Sequence, residues 1–151
     1  AFTGSVKITS DPSGAKIYLN SVYTKRKTPA TISREIGDYE LQLRMSKGTD
    51  YGFLWKGKIT IKHRTILEKR IKFGRDDLKE LHSLHIMSKP QASISIDGRP
   101  EGKPTNSGPV YLFEGEHSVI LTTDEYKKRG FLVTIPAVPA VTDTFVLQPK
   151  K

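Results

Sequence analysis

The sequence predicts an all-β protein made of two small β-sandwich modules in tandem. Three observations carry this. Apolar and polar residues alternate with period two over many short runs. A long motif returns in the same order, about 74 to 78 residues later. Proline and glycine stand at the joins between runs.

The runs of the first module come in order. Val6 and Ile8 alternate with Lys7 and Thr9, and Ile17 and Leu19 flank Tyr18. Tyr39, Leu41 and Leu43 alternate with Glu40, Gln42 and Arg44, and Ile59 and Ile61 with Lys58, Thr60 and Lys62. Each run has one face for a core and one for water. Asp11-Pro12, Gly57, Gly98, Gly102 and Gly108-Pro109 are candidate turns or bulges. The second module repeats the pattern at Ile94/Ile96, Val119/Leu121, Val133/Ile135 and Phe145/Leu147. The recurrence starts at Val6–Asn20, which returns as Leu84–Asp97 with one residue fewer. Gly37-Asp38-Tyr39 returns as Gly115-Glu116-His117, and Ile59-Thr60-Ile61 as Val133-Thr134-Ile135. Arg75–Leu81 is the one plausible helical turn. The expected division is therefore a module over 1–75, a linker over 76–82 and a second module over 83–151.

Two cores shared among 151 residues, with a 36% apolar share, are each small. There is no cysteine. That removes disulfides, thiol nucleophiles, thiolate zinc sites and iron–sulfur ligation together. No apolar run approaches the roughly 18 residues that span a bilayer as a helix. The charge of +9 is uneven. Residues 1–75 hold 16 Lys/Arg against 6 Asp/Glu, and residues 76–151 hold 9 against 10. Such asymmetry implies different surroundings for the two halves.

The stretch Ser10-Asp11-Pro12-Ser13-Gly14-Ala15, the run to Asn20, then Thr28-Pro29 and Ile36-Gly37-Asp38-Tyr39 resemble the PEGA domain. The second module departs from that pattern. It has Lys89-Pro90-Gln91-Ala92 without the glycine, and Lys103-Pro104-Thr105 where the family has Thr-Pro. Its Asp97-Gly98 suits the family's hairpin turn better than Asn20-Ser21 does. The resemblance implies small immunoglobulin/transthyretin-like sandwiches. It also implies an extracytoplasmic setting, periplasmic or at the cell surface of a bacterium, beside other domains.

Catalytic patterns are absent. There is no phosphate-binding glycine loop, dinucleotide fingerprint or serine elbow. The histidines His63, His82, His85 and His117 make no metal-ligand spacing. Asp76/Asp77 and Glu114/Glu116 read as solvated acids. No catalytic residue, metal or cofactor is expected, and the chain is not read as an enzyme.

The candidate binding residues are basic or aromatic. Lys56, Lys58, Lys62 and Arg64 are spaced by two, and so are Arg70 and Lys72. Strands holding them would form a cationic face if they paired as a hairpin. Lys25-Arg26-Lys27 adds a basic loop. Tyr51, Phe53 and Trp55, read as a loop after the turn-like Lys47–Asp50, are candidate sugar-stacking rings or plugs of the core. Cations on a sheet also serve as plain guards of an edge. The leading expectation is a non-catalytic interaction or assembly module with an envelope protein partner. The alternatives are carbohydrate or anionic wall-polymer binding, and nucleic-acid binding through the basic face. Nucleic acid is disfavoured because no recognition motif accompanies the charge. The oligomeric state is not legible.

Overall fold

The computed structural model describes residues 2–135 and 144–149. The protein is all-β and falls into two compact units, Ala1–Lys79 and Glu80–Lys151. Strands β1 (Thr3–Asp11), β2 (Lys16–Leu19), β3 (Val22–Lys27), β4 (Ala30–Glu35), β5 (Gly37–Lys47), β6 (Tyr51–Ile61) and β7 (Ile66–Lys72) build the first unit. A 3-10 turn at Arg75–Asp77 follows, and β8 (Leu78–His85) runs across the division between the units. The segment expected as a linker is thus this turn and then strand. The second unit continues with β9 (Met87–Lys89), β10 (Ser93–Ile96), β11 (Arg99–Pro100), β12 (Pro109–Phe113), β13 (Gly115–Thr122), β14 (Arg129–Ile135) and β15 (Thr144–Val146).

In the first unit one sheet has the order β4-β1-β7, with β4 antiparallel and β7 parallel to β1. The other runs β6-β5-β2-β3, antiparallel throughout. Inward residues of both sheets meet in one core: Val6, Ile8 and Ile32 from the first, Ile17, Leu41, Leu43, Ile59 and Ile61 from the second. Alternation explains the choice, since Lys7, Thr31, Lys58 and Thr60 between them are exposed. The second unit repeats the connectivity. Strand β12 lies antiparallel to β8, β15 lies parallel to β9, and β11-β10-β13-β14 form the facing sheet. Its core gathers Leu84, Ile94, Ile96, Val119, Leu121, Val133, Ile135 and Leu147. The expected inward partner of Leu147, Phe145, lies outside the described side chains.

The two hairpin turns after β2 and β10 share a conformation despite different sequences. Asn20 and Ser21 have φ of 50° and 67°, and Asp97 and Gly98 have 53° and 80°. Two successive positive φ values suit a turn that matches strand twist. Asn20 Oδ1 accepts the Glu40 amide at 2.9 Å, and Asp97 Oδ1 accepts the Ser118 amide at 2.9 Å. The same side-chain oxygen thus fastens both turns to the neighbouring strand, with or without a glycine at the second position.

Three sequence expectations are corrected here. Strands β6 and β7 do not form a hairpin: β6 pairs with β5, while β7 crosses to the other sheet and pairs with β1. Lys62 and Arg64 lie in the turn after β6 instead of on the strand, and Arg64 has φ of 53°. Lys25-Arg26-Lys27 is the end of edge strand β3 and not a loop. Its register against β2 slips where Lys25 takes φ of 66°, and the Thr24 hydroxyl reaches the Ile17 carbonyl at 2.8 Å. A bulged, cationic edge resists pairing with another chain.

Candidate functional site

The signature residues of the repeat are used internally, in the same way in both units. Thr28 is buried between the sheets of the first unit. Its Oγ1 lies 2.6 Å from Ser10 Oγ and accepts the amides of Gly14 (3.1 Å) and Ala15 (3.0 Å). In the second unit Thr105 Oγ1 lies 2.7 Å from Ser88 Oγ and accepts the Ala92 amide at 2.8 Å. Ser10 donates to the Pro12 carbonyl and Ser88 to the Pro90 carbonyl. The peptide bonds before Pro12, Pro29 and Pro90 are cis. Buried hydroxyls need partners, and here each finds them in the turn that it fastens. Sequence reasoning missed this lock. The second threonine stands one residue after its proline, so the Thr-Pro pattern concealed the match.

A second buried group was also missed. His117 Nδ1 lies 2.6 Å from Asp97 Oδ2, and its Nε2 donates to the Phe113 carbonyl at 2.7 Å. Both side chains are at most 4% exposed. The repeat held the signal, because His117 occupies the place of Tyr39, whose hydroxyl likewise donates four residues back, to the Glu35 carbonyl at 2.8 Å. A strand position filled by tyrosine in one copy and histidine in the other asks for the same bond twice.

Of the predicted binding residues, Lys56 and Lys58 project from the outer face of β6. Glu40 stands directly opposite Lys58, and Asp38 Oδ2 is 3.8 Å from the Lys58 ammonium while Asp38 Oδ1 accepts the Thr60 hydroxyl. The face is a ladder of mixed charge and not a cationic plate. Exposed pairs of this kind contribute about 0–1 kcal/mol. Arg70 and Lys72 project from the other sheet. Arg70 Nη2 is 2.9 Å from Glu68 Oε1, and this hydrogen bond and the charge of Arg70 hold the Glu68 carboxyl below the usual carboxylate range, with a smaller contribution from Lys7.

The aromatic candidates are strand residues, since β6 begins at Tyr51 after a short turn at Gly48–Asp50. Tyr51 is exposed. Phe53 stacks on Phe73 with centroids 5.0 Å apart and planes at 14°, and Lys47 Nζ stands 5.3 Å from its centre. Trp55, half-buried, packs at the margin of the core. Phe53, Trp55 and Gly57 share the inward parity with Ile59 and Ile61. A Cβ at position 57 would run into the six-membered ring of Trp55, 2.9 Å from Cζ2. Gly57, expected as a turn or bulge, is therefore a mid-strand seat for the indole. Gly57→Ala should displace the ring and destabilise the unit by about 1–3 kcal/mol. Because Trp55 is the sole tryptophan, a shift of its emission maximum together with a lower urea midpoint checks both effects.

Trp55 and the β7 cations come together at the open margin of the first sandwich. A recess of about 460 Å³ is lined by Trp55, Lys69, Arg70, Ile71, Lys72 and the Gly74–Asp77 turn. That turn is fastened by Asp77, whose carboxylate accepts the Gly74 amide at 2.8 Å. Lys69 was not predicted. It has the inward parity of Leu67 and Ile71, and only the margin of the sandwich lets a cation take that place. The structure thus joins three predicted residues, Trp55, Arg70 and Lys72, with Lys69 and Arg75. It leaves Lys56 and Lys58 on another face, Lys62 and Arg64 in a turn, and Lys25–Lys27 on the β3 edge. Among the described residues no group of three or more histidines or acids could hold a metal, and no helix is long and apolar enough to cross a membrane.

Residues 3–63 match the family model described as the PEGA domain. No curated protein matches the sequence. Among solved structures, the chain is similar to the one titled "The Bacillus anthracis TIE protein", at 18% identity and a TM-score of 0.37. That alignment covers 99% of this chain and 34% of the other, so this chain spans about a third of its length.

Proposed function

We propose that this chain, which carries a PEGA domain over residues 3–63, is a non-catalytic assembly module of a bacterial envelope protein or complex. Its contact site is the Trp55 recess of the first unit. The observation that carries the reading is the meeting of an indole with Lys69, Arg70, Lys72 and Arg75 at one open margin. An aromatic ring beside arginines is the composition of a protein contact patch. The groups with chemical potential elsewhere are committed to the fold: Ser10, Thr28, Ser88, Thr105, Asp97 and His117 all bond internally. The extracytoplasmic setting follows from the family resemblance.

The test uses the whole chain, immobilised and exposed to bacterial envelope extract at rising salt. Lys72→Glu is expected to lower retention of the bound partner by about tenfold, since a reversed charge at a contact costs affinity directly. Salt should erode the wild-type binding in parallel, because the Debye length falls from about 8 Å at physiological ionic strength to about 3 Å at 1 M. Lys58→Glu serves as the control on the mixed-charge face. Retention that ignores Lys72→Glu and salt alike would remove the recess from the reading.

A further inference from the structure

We infer that the outer edge of β7 receives an extended acidic peptide segment of the partner as an added strand, with one side chain seated in the Trp55 recess. This rests on the assembly reading and specifies its partner.

The argument begins with the hydrogen bonds of β7. The Ser5 amide donates to the Thr65 carbonyl, and the Phe73 amide donates to the Asp11 carbonyl. In a strand, successive residues direct their backbone groups to opposite sides. Thr65, Leu67, Lys69, Ile71 and Phe73 therefore bond towards β1. Ile66, Glu68, Arg70 and Lys72 present their N–H and C=O groups to the other side. No strand lies there among the described residues, since the sheet order ends at β7. The pairing of β7 with β1 runs without a slip from Ile66 to Lys72. This edge is straight enough to template another strand.

The other free edges of the first unit are poorer. Edge strand β3 is bulged at Lys25. Strand β4 has one cation, Arg34, against one acid, Glu35, whereas β7 has Lys69, Arg70 and Lys72 against Glu68 alone. Beside β7 the recess supplies what an edge alone lacks. A strand added to β7 extends that sheet over the margin of the sandwich, so its inward side chains cover Trp55 and Ile71. Main-chain bonds then give affinity and the recess gives selectivity. The charge fixes the class of segment. The lining sets four cations, Lys69, Arg70, Lys72 and Arg75, against two acids, Asp76 and Asp77, and its excess stays positive with Arg70 paired to Glu68. The same cations repel a basic strand and a second copy of β7 itself.

The probe is a seven-residue peptide alternating glutamate and valine, with both ends blocked, titrated into the full chain and read by Trp55 emission. Two further versions carry N-methyl groups on alternate residues, one version for each edge of the peptide. One methylated version is expected to bind at least about tenfold more weakly and the other to bind as the parent, because only one edge bonds to β7. The lysine–valine counterpart is expected to leave Trp55 unchanged. Equal binding by both methylated versions, or binding by the lysine peptide, overturns the proposal. A response of Trp55 to polygalacturonate but not to the acidic peptide also overturns it and makes the recess a glycan site. If no peptide binds while Lys72→Glu still abolishes retention of envelope partners, the strand addition falls and the assembly reading stands.

Discussion

Replacing Asp97 by alanine is expected to cost the second unit about 1–3 kcal/mol for each buried group that loses its hydrogen-bond partner. The carboxylate holds two groups at once, His117 Nδ1 at 2.6 Å and the Ser118 amide at 2.9 Å. Alanine strands both. It also removes the side chain that supports a turn in which Asp97 has φ of 53°. A unit of this size has a total stability of only several kcal/mol, so most of its margin goes. Asp97→Asn should be milder, since an amide can accept from Ser118 and donate to a neutral imidazole that keeps its proton on Nε2. Urea titration followed by far-UV circular dichroism checks the order wild type, Asn, Ala. Trp55 lies in the first unit, so its emission follows that unit's transition separately. An alanine variant as stable as the parent would show that the pair contributes nothing.

Thr28→Val is expected to destabilise the first unit by about 1–3 kcal/mol, the cost of an unsatisfied buried donor. The loss falls mainly on the Ala15 amide, whose hydrogen bond goes to Thr28 Oγ1. The Gly14 amide keeps the Thr28 carbonyl at 3.0 Å, and Ser10 keeps the Pro12 carbonyl. Valine matches threonine in shape, so a packing defect cannot account for the loss. Thr105→Val should act on the second unit through Ala92 in the same manner. Thr28→Ser retains the oxygen and should cost less than valine. Thermal or urea midpoints of the three variants against the parent give the comparison. Serine and valine variants of equal stability would mean that the hydroxyl is not what fastens the turn.

The sequence carried the pattern of the sheets well because that pattern is local. Ile59 and Ile61, or Val119 and Leu121, need only the period of two to declare an inward face. Extended to Trp55 and Lys69, the same period puts both on the inward side once they are known to lie in strands. What it lacked was a way to tell the packed middle of a strand from its open margin. The partner of β7 was not legible, because the short turn at 62–65 serves a hairpin and a crossing between sheets equally well. The choice is made by β1, whose paired positions lie 61 residues earlier and which offers a parallel edge. The Thr–Ser locks escaped for a related reason. Their members lie 18 and 17 residues apart, and nothing local announces that two hydroxyls will meet. The bulge at Lys25 is likewise a product of pairing with β2. Charge was the least faithful guide, since Lys58 looked free in the sequence and stands across from Glu40 in the fold.

The side-by-side run of β1 and β7 has a mechanical consequence. The strands point the same way, so a pull on the first unit from Thr3 at one end and Lys72 at the other draws them along each other in opposite directions. The load then falls on seven paired positions together, from Ser5 with Ile66 to Asp11 with Lys72, and cannot open them one after another. Among the described residues the corresponding run in the second unit, β9 beside β15, shows three. Under tension the first unit is therefore expected to resist as one block and not to unzip.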